Sequence, residues 1–435
     1  MTIANRKKNN HNGEATVKLI SLVKQIALVG LGLIVMLLLT NGQPSFFIII
    51  LSVLVAILFM IWNQQKLLKK SSQQIYQSSS NYNLPFDYSL ENASVNGAKN
   101  NQNQELDVNK NTLNFFLNKE MINQDSNISL ILANLSNAEL VGVNFGNVYL
   151  NGANLSGANL SGANLSEANL SDADLCGTKL AIAQLVSANL SSVKLIDADL
   201  SNANLQHANL SAANLNNAQL VGVNLSGANL SDARFINANL TNANLSGVYL
   251  WNGNLNHAQL VDTNLSNAYM NSAKLNDANL SCAVLKNAQL SSAKMRNANL
   301  KNANLNSTQL MGARLDNANL EGANLEGANL EGANLEGANL RGVNLKSVKI
   351  NQATKLDYKW RLVWEILNLK NKRTDLRNAD FEDANLQGAD LRNTDLSNVK
   401  FTGAKVAHAL FGYNQGLSVE MRLELKLRGA IFEDE

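Results

Sequence analysis

From Leu130 to Ile350 every fifth residue is Leu, Phe, Met or Ile, forty-five positions without an exception. A helix repeats its apolar face every 3.6 residues and a strand every second residue, so a period of five fits neither. Two positions before each large residue stands a small one, usually Ala, relieved at places such as Val143, Thr178 and Gly253. The position between them is mostly Asn, and the two that follow are mostly Ser, Asn, Gly, Asp or Glu. In an extended stretch residues i and i−2 point the same way, and the next two suit a turn. Short extended segments joined by turns trace a polygon. If four words A-N-L-x-x close one turn, a coil has 20 residues and both apolar rows face inward. Coils then stack at about the 4.8 Å inter-strand spacing, and a tube this narrow needs Ala at one inward position. The period alone does not say how many sides the polygon has.

Other patterns flank the array. The apolar runs Ile26–Leu39 and Phe46–Trp62 are separated by TNGQPS. Each reaches, with its flanks, about 17 to 19 residues, enough for a bilayer core as helix. Arg6, Lys7, Lys8, Lys18 and Lys24 precede them and Lys66, Lys69 and Lys70 follow, with none in the turn. By the positive-inside rule both termini and the repeats are expected on the cytoplasmic side of a membrane crossed twice. The predicted order is a basic tail (1–18), a transmembrane helical hairpin (19–65), a polar linker with a possible cap (66–129) and the repeats (130–350). An amphipathic helical insert (351–375) follows, with Trp360, Val363, Trp364 and Leu367 on one face and Asp357 as N-cap. The beat resumes in a shifted phase over 376–411. A helical cap (412–435) closes the chain, its helix opened by Ser418 and ended by Gly429.

Tandem A-(D/N)-L-x-x words over 130–350 resemble the pentapeptide-repeat family. The resemblance implies an all-β solenoid, a right-handed quadrilateral β-helix of about eleven coils, roughly 55 Å long, plus two coils in the second block. The insert WRLVWEI and the tail LRGAIF resemble cyanobacterial members.

Charge changes the picture at one end only. The chain totals +2, but residues 1–75 hold eight Lys/Arg against one Glu, while 130–350 hold fourteen acids against twelve bases. Cys176 and Cys282 have no recognised spacing and fit a reducing compartment. His11, His207, His257 and His408 are too scattered for a metal triad or a nucleophile–base pair. Glu321, Glu326, Glu331 and Glu336 fall on successive faces as a belt, and not as a catalytic pair across a cleft. No phosphate loop or zinc spacing occurs, so neither an enzyme nor a cofactor nor a small-molecule substrate is expected.

The exterior is more informative. Residues twenty apart should stack, which places Tyr249, Trp251 and Tyr269 in one aromatic patch, with Tyr149 on the same face. Aromatic residues are enriched at interface hot spots. Weaker surface candidates are Val141, Val221 and Val261, with Ala181 between them, and Trp360 and Trp364 of the insert. The leading expectation is a membrane-anchored, non-enzymatic scaffold presenting a rigid rod to a protein partner. One alternative is an accessory subunit of a membrane transport or signalling complex acting through its hairpin. A second is a DNA mimic inhibiting a topoisomerase, as in another branch of the family, which needs a run of negative potential. Nucleic acid is not an expected partner, since the repeats are expected to carry no basic stripe and the lysines cluster beside the apolar runs.

Overall fold

The computed structural model describes residues 129–369 and 374–433. The hairpin, basic tail and linker expected before residue 129 lie outside the described residues.

The polygon has four sides. Single-residue parallel bridges join each central residue to the one twenty further on, from Ser129↔Tyr149 to Asn329↔Lys349. Four words therefore make one coil, and the central residues form four columns that begin at Ser129, Asn134, Glu139 and Asn144. Inside, from Leu140 to Val348, the Leu row and the Ala row are almost wholly excluded from solvent and form one continuous core. Where Thr replaces Ala, its hydroxyl is satisfied: Thr178, Thr263 and Thr308 donate from Oγ1 to the carbonyls of Leu155, Leu240 and Leu285.

In an inner word with Asn at its centre every backbone N–H finds a partner. In the word 154–158, Asn154 N–H donates to Ala133 O one coil back. Leu155 and Gly157 donate to Asp174 O and Cys176 O one coil forward, and Ala158 closes the turn onto Leu155 O. The remaining donor, Ser156 N–H, goes to the side chain of Asn154 at 3.1 Å. That last bond is an Asx turn, and it explains why the central residue is Asn or Asp. The same Asn side chains also bond along their columns, Asn164 Nδ2 to Asn144 Oδ1 at 2.8 Å and Asn189 Nδ2 to Asn169 Oδ1 at 3.0 Å. Such amide ladders are what cross-β stacks use to hold identical residues in register.

Each corner needs a left-handed residue. From Leu132 to Ser347 the second turn residue always has φ between 55° and 70°, the sign a type II turn requires at that position. Gly, Asn and Asp fill most corners, and they visit this region at little cost. Ile182 holds φ 55° with a β-branched, largely exposed side chain. Ile182→Asn is therefore expected to raise stability by about 1 kcal/mol, read as a higher urea midpoint. An unchanged or lower midpoint would mean that the corner carries no strain.

The ends differ from the expected boundaries. The array does not stop at Ile350. One further word contains a one-residue insertion, so Asn334 pairs with Lys355 and buried Thr354 takes the Ala site, its hydroxyl on Leu330 O. That insertion is also where the five-residue beat first slips out of phase. Helix α1 is Tyr358–Asn368, shorter than the expected 351–375, and Asp357 stands at its N-cap without a side-chain capping bond. The helix lies on the last coil. Trp364 Nε1 donates to Val348 O at 2.7 Å, and Asn368 Nδ2 donates to Leu345 O at 3.0 Å. Arg361 donates to Thr354 O at 2.7 Å. In the coils below, the carbonyl equivalent to that of Val348 accepts a backbone N–H from the next coil, so the indole replaces a missing strand.

The second block stacks from Asp375↔Asp395 to Asp395↔Gln415. It meets the first through Gly342 N–H to Asp383 O at 2.7 Å and ion pairs Arg341–Asp383 and Lys359–Asp380. Its core is aromatic, Phe381, Phe401 and Phe411 in succession. Strand β1 (Leu410–Phe411) pairs in parallel with β2 (Ile431–Phe432). Helix α2 (Val419–Leu427) lies between them in the chain, with Ser418 Oγ accepting from Met421 N–H at its start. Arg428 reaches back to the carbonyls of Phe401 and Ala404. Donors thus cover the open carbonyls that would otherwise template further chains.

Candidate functional site

The stacking rule places two tyrosines on adjacent rungs of the column that begins at Ser129. Tyr249 and Tyr269 lie ring on ring, 5.1 Å between centroids and 7° between planes. Trp251 occupies the first corner position beyond Tyr249 and meets it edge to face at 5.8 Å. The three side chains are contiguous and half-exposed, at 43%, 45% and 40%. Tyr149 shares the column but stands five coils away. Each ring pair adds about 0.5–1.5 kcal/mol beyond area burial, so the patch is rigid before anything touches it. An amphipathic ring fixed in place loses little entropy on binding.

The other surface candidates are placed differently. Val141, Val221 and Val261 share one corner, but Ser201 and Thr241 interrupt them and only Val141 is well exposed. They make no continuous apolar surface. Trp360 and Trp364 turn inward: Trp360 is 8% exposed and Trp364 is committed to Val348. The insert packs on the rod end and does not stand off it.

One feature escaped the linear reading. In the column that begins at Asn134, Lys274, Lys294 and Arg314 sit on three consecutive rungs, with Arg234 two rungs below Lys274. The stripe missing along the chain exists in space, because its members are twenty residues apart. A count at that spacing would have found it.

The acids are dispersed. Glu321 pairs with Lys301 at 3.1 Å and Glu336 with Lys355 at 3.7 Å, while Glu326 accepts from Asn344 Nδ2. Partial burial pushes the Cys176 thiol up, assisted by the Asp174 carboxylate beside it, and no disulfide joins it to Cys282. His257 Nδ1 lies 4.0 Å from Asp277. Among the described residues no group of His, Cys, Asp or Glu could hold a metal ion, and no helix is long and apolar enough to cross a membrane.

Comparison with known proteins agrees with the repeat geometry. The family model for Pentapeptide repeats (8 copies) matches in overlapping copies over 128–354 and again over 373–411. Among solved structures, HetL is a pentapeptide repeat protein involved in heterocyst differentiation regulation, from the cyanobacterium Nostoc sp. strain PCC 7120. It is 30% identical over 58% of this chain and 100% of its own, with a TM-score of 0.27. Rfr23, from the cyanobacterium Cyanothece 51142, is 38% identical over 25% of this chain and 64% of its own, with a TM-score of 0.19. QnrB1, a plasmid-mediated fluoroquinolone resistance protein, is 21% identical over 40% of this chain and 83% of its own, with a TM-score of 0.29. No curated protein matches. The assignment rests on the repeat match and not on superposition. With five-residue words stacked four to a coil, and the family model matching more than half of its length, the chain belongs to the pentapeptide-repeat family.

Proposed function

We propose that the protein is a non-enzymatic scaffold, anchored to a membrane by its 19–65 hairpin, whose rod docks a protein partner at Tyr249, Trp251 and Tyr269. The observation that carries this reading is the exposed, pre-stacked cluster of three aromatic rings on the outside of the rod. Pentapeptide-repeat proteins are typically structural or interaction proteins without catalytic activity. The anchor follows from the two apolar runs and the basic residues outside them. A topoisomerase-blocking DNA mimic is less favoured, because that role needs a continuous acidic face and this rod carries a basic column in its C-terminal half.

A photoreactive residue at position 251 of the full chain, in native membranes, tests the docking patch. Its control is the same residue at Asn242, an exposed corner position diagonally across the coil. The expected result is one dominant protein adduct from 251 that is absent from 242. Equal adducts from both, or none from 251, would overturn the patch as a docking site.

A further inference from the structure

Lys274, Lys294 and Arg314 lie on successive rungs, about 4.8 Å apart. Like charges directly opposite each other in a ladder repel. At other points on the rod some cations are set against an acid, as with Lys194 and Asp174 at 3.4 Å or Lys301 and Glu321 at 3.1 Å. Among the described residues neither Lys274 nor Lys294 has such a partner. Arg314 has the Asp316 carboxylate beside it, but the charges of Lys274 and Lys294 are not offset by an ion pair among these residues.

At the adjoining corner the arrangement becomes more specific. Asp316 is a turn residue, a type normally in solvent, yet its side chain is only 12% exposed. It accepts a hydrogen bond from Arg296 Nε at Oδ2, and Arg314 Nε lies 3.4 Å from Oδ1. Oδ1 is buried and makes no hydrogen bond. Partial burial acts to raise its pKa, but the bond and charge of Arg296, followed by Arg314, hold the carboxyl below the ordinary range. Asp316 therefore stays ionised, hydrogen-bonded to the Nε edge of Arg296 and ion-paired with that of Arg314. Their Nη groups make no hydrogen bond among the described residues.

Beside them opens a cleft of about 250 Å³, lined by Asn276, Asp277, Lys294, Arg296 and Arg314. The rim acid Asp277 is engaged by Asn297 Nδ2 at 3.0 Å and by His257 at 4.0 Å. Counting Lys274, the two acids and four bases leave a net charge of +2. Planar guanidinium forks match the oxygens of a phosphate, and a lysine adds a point charge. No large apolar or aromatic side chain lines the cleft, so recognition is of the anion alone.

We infer that Lys294, Arg296 and Arg314, extended by Lys274 and oriented by Asp316, form a binding site for a phosphate-type oxyanion of about diphosphate size. The ladder of charges occupies three rungs, about 10 Å from end to end, longer than a single tetrahedral anion. This site goes beyond the scaffold reading and does not depend on it.

The test is titration of the full chain in detergent with inorganic pyrophosphate, followed by phosphorus NMR line broadening and calorimetry. One saturable, salt-sensitive site is expected. Lys294→Gln and Arg314→Gln should each weaken it at least tenfold, while Lys179→Gln, an exposed lysine on the next column, should leave it unchanged. Should Arg314→Gln unfold by circular dichroism, Lys274→Gln and Lys294→Gln carry the test, since neither residue touches a carboxylate. Asp316→Asn separates positioning from net charge: a positioned site binds less tightly, whereas tighter binding would overturn the role given to Asp316. Competition by phosphatidic acid vesicles would assign the oxyanion to a lipid headgroup, and its absence to a free anion. No saturable binding, or equal loss in Lys179→Gln, would overturn the site.

Discussion

Leu220→Ala in the middle of the rod is expected to cost about 2–5 kcal/mol. The side chain is wholly buried between the Leu rows of the coils above and below, which hydrogen bonds hold in place and which cannot collapse into a void. The converse change at the small row, Ala218→Leu, should cost about 1–3 kcal/mol or more through overpacking. Between residues 130 and 350 that row accepts Gly, Ala, Thr and Val but nothing larger. In a one-dimensional array each coil contacts only its neighbours, so the damage should appear as a second, lower unfolding transition. Denaturant titration followed by circular dichroism reads both. Costs no greater than that of an exposed Asn→Ala change would mean that the inward rows do not set stability.

Removing the indole that closes the first block should be comparably severe. Trp364→Ala is expected to lose about 3–5 kcal/mol and to expose the carbonyls of the last coil. Trp364→Phe keeps most of the packing and removes only the Nε1–H bond to Val348 O. It should cost about 1–3 kcal/mol, the penalty of an unpaired buried acceptor. Light scattering should show concentration-dependent association for the alanine variant, because an uncovered ladder pairs with other chains. If Trp364→Ala behaves like Tyr358→Ala, a change on the exposed side of α1, the helix is not a cap.

Much of the architecture was legible residue by residue. The inward rows followed from a period of five with large and small apolar residues two apart, and the corners from the polar pair between them. The stacking of Tyr249, Trp251 and Tyr269 followed once a coil was taken as four words. Other features were not legible. The central Asn was visible as a habit of the sequence, but its use as an Asx turn and ladder rung needed the coordinates of a second coil. The basic column was hidden for a related reason, since Lys274, Lys294 and Arg314 are neighbours only across coils. For α1 the apolar face was clear, but the same face could serve a partner or the rod, and periodicity does not name the surface it meets.

The division follows from the range of the interactions. By itself the sequence determined what is local: which side chains point inward, where the chain turns, and that the repeat continues for dozens of words. Burial and turn preference act within five residues, so they are written in every word. Only the tertiary structure decided the number of sides, the one-residue slip at Asn334↔Lys355, the cap formed by Trp364, and the pairing of Asp316 with Arg296. Those depend on hydrogen-bond register between segments about twenty residues apart, and no single word contains that information.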